Sequence, residues 1–117
     1  MRVKLVSTED LGDDLKIWSL TIGREYEVIG IEADSYRIVD DTGLPYLFNP
    51  SNFEMIDSSE PPCWQSETGV EGERYCYPAE WHAPGFFEDF FDRKEEAQQV
   101  FKNTLSFYFP QLELRDA

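Results

Sequence analysis

The sequence predicts an α+β fold in which a small antiparallel β-barrel is followed by a hairpin and C-terminal helices packed on it. Three observations support this class. Short segments rich in β-branched and aromatic residues recur about every 8–12 residues in the first half, which is typical of small barrels. Two further segments of this kind flank a glycine-containing loop at 69–72. Near the C-terminus the apolar residues recur at helical spacing instead.

Length and composition predict one domain over residues 1–117, with a barrel part at 1–57 and a hairpin and helical part at 58–117. A chain of 117 residues has the usual size of a single domain. A net charge of −14 is typical of disordered chains, but nine Phe, six Tyr and three Trp provide the large apolar side chains that such chains lack. We therefore expect a folded core.

Five strands are predicted in the first half of the chain. The first lies within 2–6, where apolar and charged residues alternate, and the others lie at 26–31, 36–39, 44–48 and 53–56. Polar turns separate them, and Gly43 can supply the positive φ that the turn after Asp41 requires. Residues 7–14 are predicted to form a loop, while 15–20 fit either a helical turn or an extended segment.

A hairpin and two helices are predicted in the second half. Residues 63–65 and 74–77 are expected to pair around the loop at 69–72, after a linker at 57–62. Pro84 is predicted to occupy the first turn of a short helix. This helix should bury four aromatic side chains against the barrel: Phe86, Phe87, Phe90 and Phe91.

The last helix has the clearest periodicity. Asp92 is predicted to cap it, with Glu95 completing a capping box, and Pro110 is predicted to stop it. Its buried face is expected to carry Ala97, Val100, Phe101, Thr104, Leu105 and Tyr108.

Residues 46–56, with the sequence YLFNPSNFEMI, resemble the end of an SH3 domain, where a strand is followed by a Pro-Ser-Asn-aromatic turn and a final strand. Residues 20–28, LTIGREYEV, are similar to the segment that opens the central meander of SH3-like barrels. The resemblance covers residues 15–57 and implies a barrel. Pro50, Asn52 and Phe53 match positions that help to form the proline-rich peptide groove of the family.

The chain also departs from the SH3 pattern. Residues 1–6 lack the tyrosine-containing motif of the peptide binders, and Ser35-Tyr36 stands where those proteins carry a tryptophan pair. The resemblance therefore supports the barrel shape better than peptide binding. A purely structural role for residues 50–53 accounts for them as well, since Pro fixes φ, Asn satisfies turns and Phe enters cores.

Charge is the feature that points to a partner. The chain has 24 Asp and Glu against 10 Lys and Arg, and 1–57 and 58–117 each hold 12 acids and 5 bases, a balance of −7 in each part. Such a surface repels nucleic acid and anionic membranes. It attracts a basic protein, although the charge is also explained by solubility alone. The sequence contains neither a signal-peptide pattern nor a membrane-spanning segment, so a cytoplasmic location is expected.

Catalytic and cofactor signatures are not evident, and no cofactor is expected. In the cytosol Cys63 and Cys76 are expected to be free thiols. Together with His82 they do not match a zinc pattern, because the spacing is wrong and a fourth ligand is missing. His82 is interpreted as a structural hydrogen-bonding residue. A small enzyme that uses Cys76 or His82 is the alternative, although neither has an evident orienting partner.

The sequence therefore favours a non-catalytic, acidic protein-binding domain, with an SH3-like peptide-recognition module as a second possibility. Small acidic chains without a catalytic set are similar to the bacterial immunity proteins that neutralise toxins. Acids in predicted turns are candidate contacts for a basic partner: Glu32, Asp34, Asp40, Asp41, Glu71 and Glu73. The SH3-like positions complete the candidate binding set: Tyr36, Pro50, Asn52 and Phe53.

Overall fold

The computed structural model of the chain describes residues 1–7 and 19–112. It confirms the α+β class, with seven antiparallel strands in one sheet and two helices on the C-terminal side. The strands are β1 (Arg2–Leu5), β2 (Glu25–Glu32), β3 (Ser35–Val39), β4 (Pro45–Phe48), β5 (Phe53–Asp57), β6 (Trp64–Thr68) and β7 (Arg74–Pro78). The helices are α1 (Phe86–Phe91) and α2 (Glu95–Tyr108), and 3₁₀ turns lie at Pro50–Asn52 and Ala79–Trp81. Most of the predicted loop at 7–14 and of the ambiguous segment at 15–20 lies outside the described residues.

Strand β2 is the centre of the sheet. The strands follow the order β4-β3-β2-β1-β5, and β7 pairs with the end of β2 and with β6. One edge of β2 pairs with β3, while the opposite edge pairs first with β1 and then, at Ile31 and Glu32, with β7. Among the described strands β4 and β5 end the order and do not pair with each other, so the sheet is open rather than a closed barrel.

The sheet separates two hydrophobic clusters. Adjacent strand residues point to opposite faces, and the neighbours Cys76 and Tyr77 on β7 belong to different clusters. An irregularity in β2, between Val28 and Gly30, lets Val28 and Ile31 both face the first cluster although they are three residues apart, while Ile29 faces the second. The first cluster lies among β1–β7, and the second fills the space between the sheet and the helices.

The predicted hairpin is confirmed, and so is the positive φ of Gly43, which is 87°. The prediction for the short helix needs two corrections. Its N-cap is Gly85 in the left-handed region, at φ 74°, so Pro84 precedes the helix rather than occupying its first turn. Phe91 remains 38% exposed, while the other three phenylalanines of α1 are buried.

The start of the last helix was also predicted wrongly. Helix α2 begins at Glu95 with Lys94 at its N-cap, and no side chain caps it. Asp92 instead ends α1, where its backbone N–H donates to the Glu88 carbonyl. Arg93 adopts a φ of 62° between the helices and redirects the chain. The helix stops before Pro110 and buries Ala97, Phe101, Thr104 and Leu105 as predicted, whereas Val100 and Tyr108 are only half-buried.

Within the described part of the chain, no helix combines the length and the apolar character needed to cross a membrane.

Candidate functional site

One end of the sheet gathers acids from the β2–β3 turn and the β6–β7 hairpin. The backbone N–H of Asp34 donates to the Arg74 carbonyl at 3.2 Å, and an oxygen of the Asp34 carboxylate accepts from the Arg74 N–H at 3.0 Å. Glu73 accepts from the backbone N–H of Glu71 at 3.1 Å. The Arg74 guanidinium pairs with Glu60 at 3.0 Å. Asp34 therefore contacts the backbone of an arginine that Glu60 already engages, while Glu71 and Glu73 contact each other in the hairpin loop.

Asp40 and Asp41 lie at the other end of β3 and hold the local structure together. Asp40 is 5% exposed, and its Oδ1 accepts from the N–H and hydroxyl of Thr42 and from the N–H of Leu44. Asp41 accepts from the Tyr26 hydroxyl at 2.9 Å and from the Arg24 guanidinium at 3.0 Å. These two acids do not share a surface with the acids near Arg74.

The SH3-like positions surround the 3₁₀ turn that precedes β5. Tyr36 is half-buried and contacts the ring of Phe53, with 5.9 Å between the ring centroids. Asn52 is fully buried, and its side-chain amide donates to the Asn49 carbonyl at 3.3 Å. Asn52 therefore serves the turn, whereas Tyr36, Phe53 and the half-buried Pro50 retain some exposed surface.

Glu32 belongs to a different feature, a row of side chains that crosses three strands. Glu32 of β2 lies directly opposite Tyr75 of β7, and Tyr75 lies directly opposite Glu67 of β6. Directly paired residues project from the same face of a sheet. Two carboxylates thus flank one tyrosine on the face where Tyr77, two residues further along β7, also projects.

Beside this row the chain forms a cavity of about 350 Å³, which we call the hairpin pocket. One side is the row itself, and the other is built by the segment from Trp81 to Glu88, which includes the start of α1. The lining residues are Glu32, Ala33, Glu67, Tyr75, Tyr77, Trp81, His82, Ala83, Pro84, Gly85, Phe86, Phe87 and Glu88. The pocket therefore combines aromatic rings with three carboxylates.

A buried arginine network supports one wall of the hairpin pocket. Arg37 is 4% exposed and donates to the Tyr77 hydroxyl at 3.0 Å, to Glu32 at 3.1 Å and to the Pro45 carbonyl at 2.8 Å. Its guanidinium carbon lies 3.9 Å from the centroid of the Phe87 ring. The Tyr77 hydroxyl donates to Glu32 at 3.0 Å, and burial raises the pKa of Tyr77 far above its usual range. The network fixes both Glu32 and Tyr77 in place.

The two candidate catalytic residues lie in different places, Cys76 in the first hydrophobic cluster and His82 in the lining of the hairpin pocket. Cys76 is fully buried, and its sulfur lies 3.3 Å from the Ser66 hydroxyl and 3.3 Å from the Arg74 guanidinium. The Nε2 of His82 lies 2.7 Å from the Gln65 carbonyl, an acceptor, so this nitrogen carries the proton. Cys63 is a partly buried free thiol whose pKa is raised by burial. In residues 1–7 and 19–112, no His, Cys, Asp and Glu side chains group together to hold a metal ion.

Sequence reasoning missed the hairpin pocket, apart from Glu32. Its other acids, Glu67 and Glu88, come from separate elements that only the packing of α1 on the sheet brings together. The predicted hairpin paired residues 63–65 with 74–77, but its loop at 69–72 did not define the register that sets Glu67 opposite Tyr75.

No protein-family model, curated protein or solved structure matches the chain.

Proposed function

We propose that the chain is a non-catalytic, acidic protein-binding domain that recognises a more basic protein, in the manner of an immunity or inhibitor protein. The observation that carries this proposal is that the arginines form ion pairs with acids of their own chain. Arg2, Arg24, Arg37 and Arg74 each form an ion pair with an Asp or Glu of the same chain. These four arginines therefore neutralise acids of their own chain, while the sequence as a whole keeps an excess of 24 acids over 10 bases.

Several exposed acids have no ion-pair partner among the described residues. They include Glu54, Glu67, Glu71, Glu80, Glu88 and Glu96. Unpaired exposed charges of one sign produce a long-range field that accelerates the approach of an oppositely charged partner. That field provides steering rather than tight binding, so we expect aromatic side chains near these acids to supply the short-range contacts.

The proposal is tested by affinity capture followed by work on the purified partner. The immobilised chain should retain a protein with an isoelectric point above neutrality, and rising salt should release it. A variant with Glu67, Glu71 and Glu88 changed to Gln, which makes the net charge three units more positive, should retain much less of it. The matched control, Gln98→Lys with Gln99→Lys and Asn103→Lys, adds three positive charges on α2 and should lose less. An acidic partner, or retention that salt does not alter, would contradict the proposal.

We also propose that β1–β5 form an SH3-like unit, with the 3₁₀ turn between β4 and β5 as the Pro-Ser-Asn-aromatic turn of that family. One observation favours a second candidate function, recognition of proline-rich peptides. The half-buried rings of Tyr36 and Phe53 lie 5.9 Å apart beside Pro50, so they offer an apolar surface. A proline-rich peptide should then shift the NMR signals of these residues, and Tyr36→Ala should abolish the shifts. Unchanged signals at saturating peptide would reject this function.

A further inference from the structure

The hairpin pocket has the chemistry of a cation site. Glu32, Glu67 and Glu88 supply three carboxylates, and among the lining residues, all in the described part of the chain, none is Lys or Arg. Arg37 neutralises only Glu32, through the bond of 3.1 Å. With −3 from the carboxylates and +1 from Arg37, the local charge is −2. A cation that enters the pocket is therefore attracted, and an anion is repelled.

Aromatic rings make the pocket specific for a type of cation. Tyr75, Tyr77, Trp81, Phe86 and Phe87 all line it; the last four are buried, and Tyr75 is half-buried between Glu32 and Glu67 on the sheet. Cations are attracted to the faces of such rings, and the attraction grows where water is partly excluded. Carboxylates alone would hold a hydrated ammonium or metal ion equally well. The Tyr75 ring favours a planar organic cation that can stack on it.

The wall of the pocket already accommodates one guanidinium. The Arg37 guanidinium lies over the Phe87 ring at 3.9 Å and donates at the same time to Glu32 and to the Tyr77 hydroxyl. A planar guanidinium stacks on a ring and still directs several N–H groups at carboxylates, which a lysine ammonium cannot do. Tyr75 lies between Glu32 and Glu67 on the sheet and shares the pocket lining with Glu88, so an aromatic ring and carboxylates again lie together there.

We propose that the hairpin pocket binds the guanidinium group of an arginine that the basic protein partner presents at its surface. This inference rests on the proposed function and names the contact that would give it specificity. Glu67 and Glu88 accept hydrogen bonds from the guanidinium, and the Tyr75 ring packs against its plane. The indole N–H of Trp81, which has no hydrogen-bond partner within the described residues, requires an acceptor and takes no part in holding the cation.

A second acidic cavity of about 360 Å³ lies beside Asp40 and Asp41, but it differs from the hairpin pocket in its aromatic and basic lining residues. Tyr26 is the one aromatic residue in its lining, and Arg24 is a basic residue within it. The Tyr26 hydroxyl and the Arg24 guanidinium already bond to Asp41. Glu25, Glu27 and Asp41 form ion pairs within the chain and Asp40 is buried, so the hairpin pocket is the better site for an external arginine.

The test uses two blocked tripeptides that differ in a single side chain, one with arginine at its centre and one with citrulline. Citrulline has nearly the same shape without the positive charge. We expect the arginine peptide to shift the backbone NMR signals of Glu67, Tyr75 and Glu88 saturably, and the citrulline peptide to bind about tenfold more weakly or not at all. A lysine tripeptide should fall between the two.

Variants of matched charge separate the pocket from the general acidity of the chain. Glu67→Gln with Glu88→Gln should weaken arginine-peptide binding by about tenfold, as expected for loss of two charged acceptors. Glu95→Gln with Glu96→Gln removes the same charge on α2, outside the pocket lining, and should change it by less than about twofold. Tyr75→Leu should weaken binding while leaving the carboxylates in place.

The outcomes divide clearly. Equal binding of the arginine and citrulline peptides, or equal losses in the two double variants, would overturn the pocket proposal. Equal affinity for the lysine peptide would overturn the preference for guanidinium. If the pocket fails these tests while the chain still captures a basic protein in a salt-dependent way, the proposed function stands without this contact. If capture fails while the arginine peptide binds, the pocket stands and the proposed function falls.

Discussion

The ring of Tyr77 packs directly against the backbone of Gly30, so the space that a side chain at position 30 would occupy is already filled. A Cβ atom built on Gly30 would overlap the Cδ1 and Cε1 atoms of the Tyr77 ring. Gly30 belongs to β2 and Tyr77 to β7, two strands that pair at Ile31 and Cys76. This contact brings the hairpin close to the central strand, and it therefore helps to place the wall of the hairpin pocket.

Gly30→Ala should destabilise the fold by about 1–3 kcal/mol, because overpacking forces the ring or the strand to move. Urea denaturation followed by circular dichroism measures the change. In Tyr77→Val the obstructing ring is absent, so adding Gly30→Ala to that variant should cost clearly less than it does in the parent chain. Equal costs in the two backgrounds would show that the contact does not determine the need for glycine.

Two arginine–carboxylate pairs should differ strongly in their contribution to stability. Arg37 is buried, donates to three acceptors and covers the Phe87 ring, so Arg37→Ala should reduce the free energy of unfolding by about 2–4 kcal/mol. Arg24 pairs with Asp41 at a similar distance of 3.0 Å, but its side chain is 59% exposed. Arg24→Ala should therefore cost no more than about 1 kcal/mol. Equal losses in chemical denaturation would contradict this account of burial.

Tyr77 should make stability fall at alkaline pH. Burial raises its pKa in the folded state, whereas the unfolded chain loses the same proton near the ordinary value of about 10. The contribution of the protonated phenol is therefore complete below that value and decreases as pH rises above it towards the folded-state pKa. Tyr77→Phe should flatten the decrease in unfolding free energy above about pH 10, measured by urea denaturation. If Tyr77→Phe leaves the decrease unchanged, Tyr26 and Tyr36, whose pKa values are also raised by burial, account for it and the account of Tyr77 is wrong.

Asp40 should stabilise the β3–β4 turn through a single carboxylate oxygen. Its Oδ1 accepts three hydrogen bonds, two from Thr42 and one from Leu44, at 2.6–3.0 Å. Asp40→Ala leaves these donors without their acceptor and should cost about 1–3 kcal/mol. Asp40→Asn keeps one carbonyl oxygen and should cost less. If the two substitutions prove equally destabilising in thermal denaturation, the account of Oδ1 is wrong.

The parts of the fold that the sequence predicted well depend on local patterns. The strands of the first half, the hairpin and helix α2 follow from alternation, from turn residues and from helical spacing, all of which are visible within a short window. The error at Asp92 arose because Asp92 and Glu95 have the spacing of a capping box, although Asp92 in fact ends the preceding helix. Nothing local distinguishes the two positions before the left-handed Arg93 is known.

The candidate site could be predicted only in part, because it depends on contacts between distant segments. Glu32 was identified as an acid near a turn, but its bonds to Arg37 and Tyr77 place it in the wall of a pocket instead. Arg37 is a charged residue in a strand, and its burial follows from the docking of α1, which puts Phe87 over it. The irregularity in β2 that lets Val28 and Ile31 face the same cluster also has no sequence signature.

The most direct test of the account is the rate at which the chain associates with its purified partner, measured by stopped flow at increasing salt. Between about 0.01 M and 1 M salt the Debye length falls from about 30 Å to 3 Å. If the acidic surface steers a basic protein, the association rate constant should fall by at least about tenfold over that range, while the dissociation rate changes much less. An association rate that stays constant across the series would contradict the central claim.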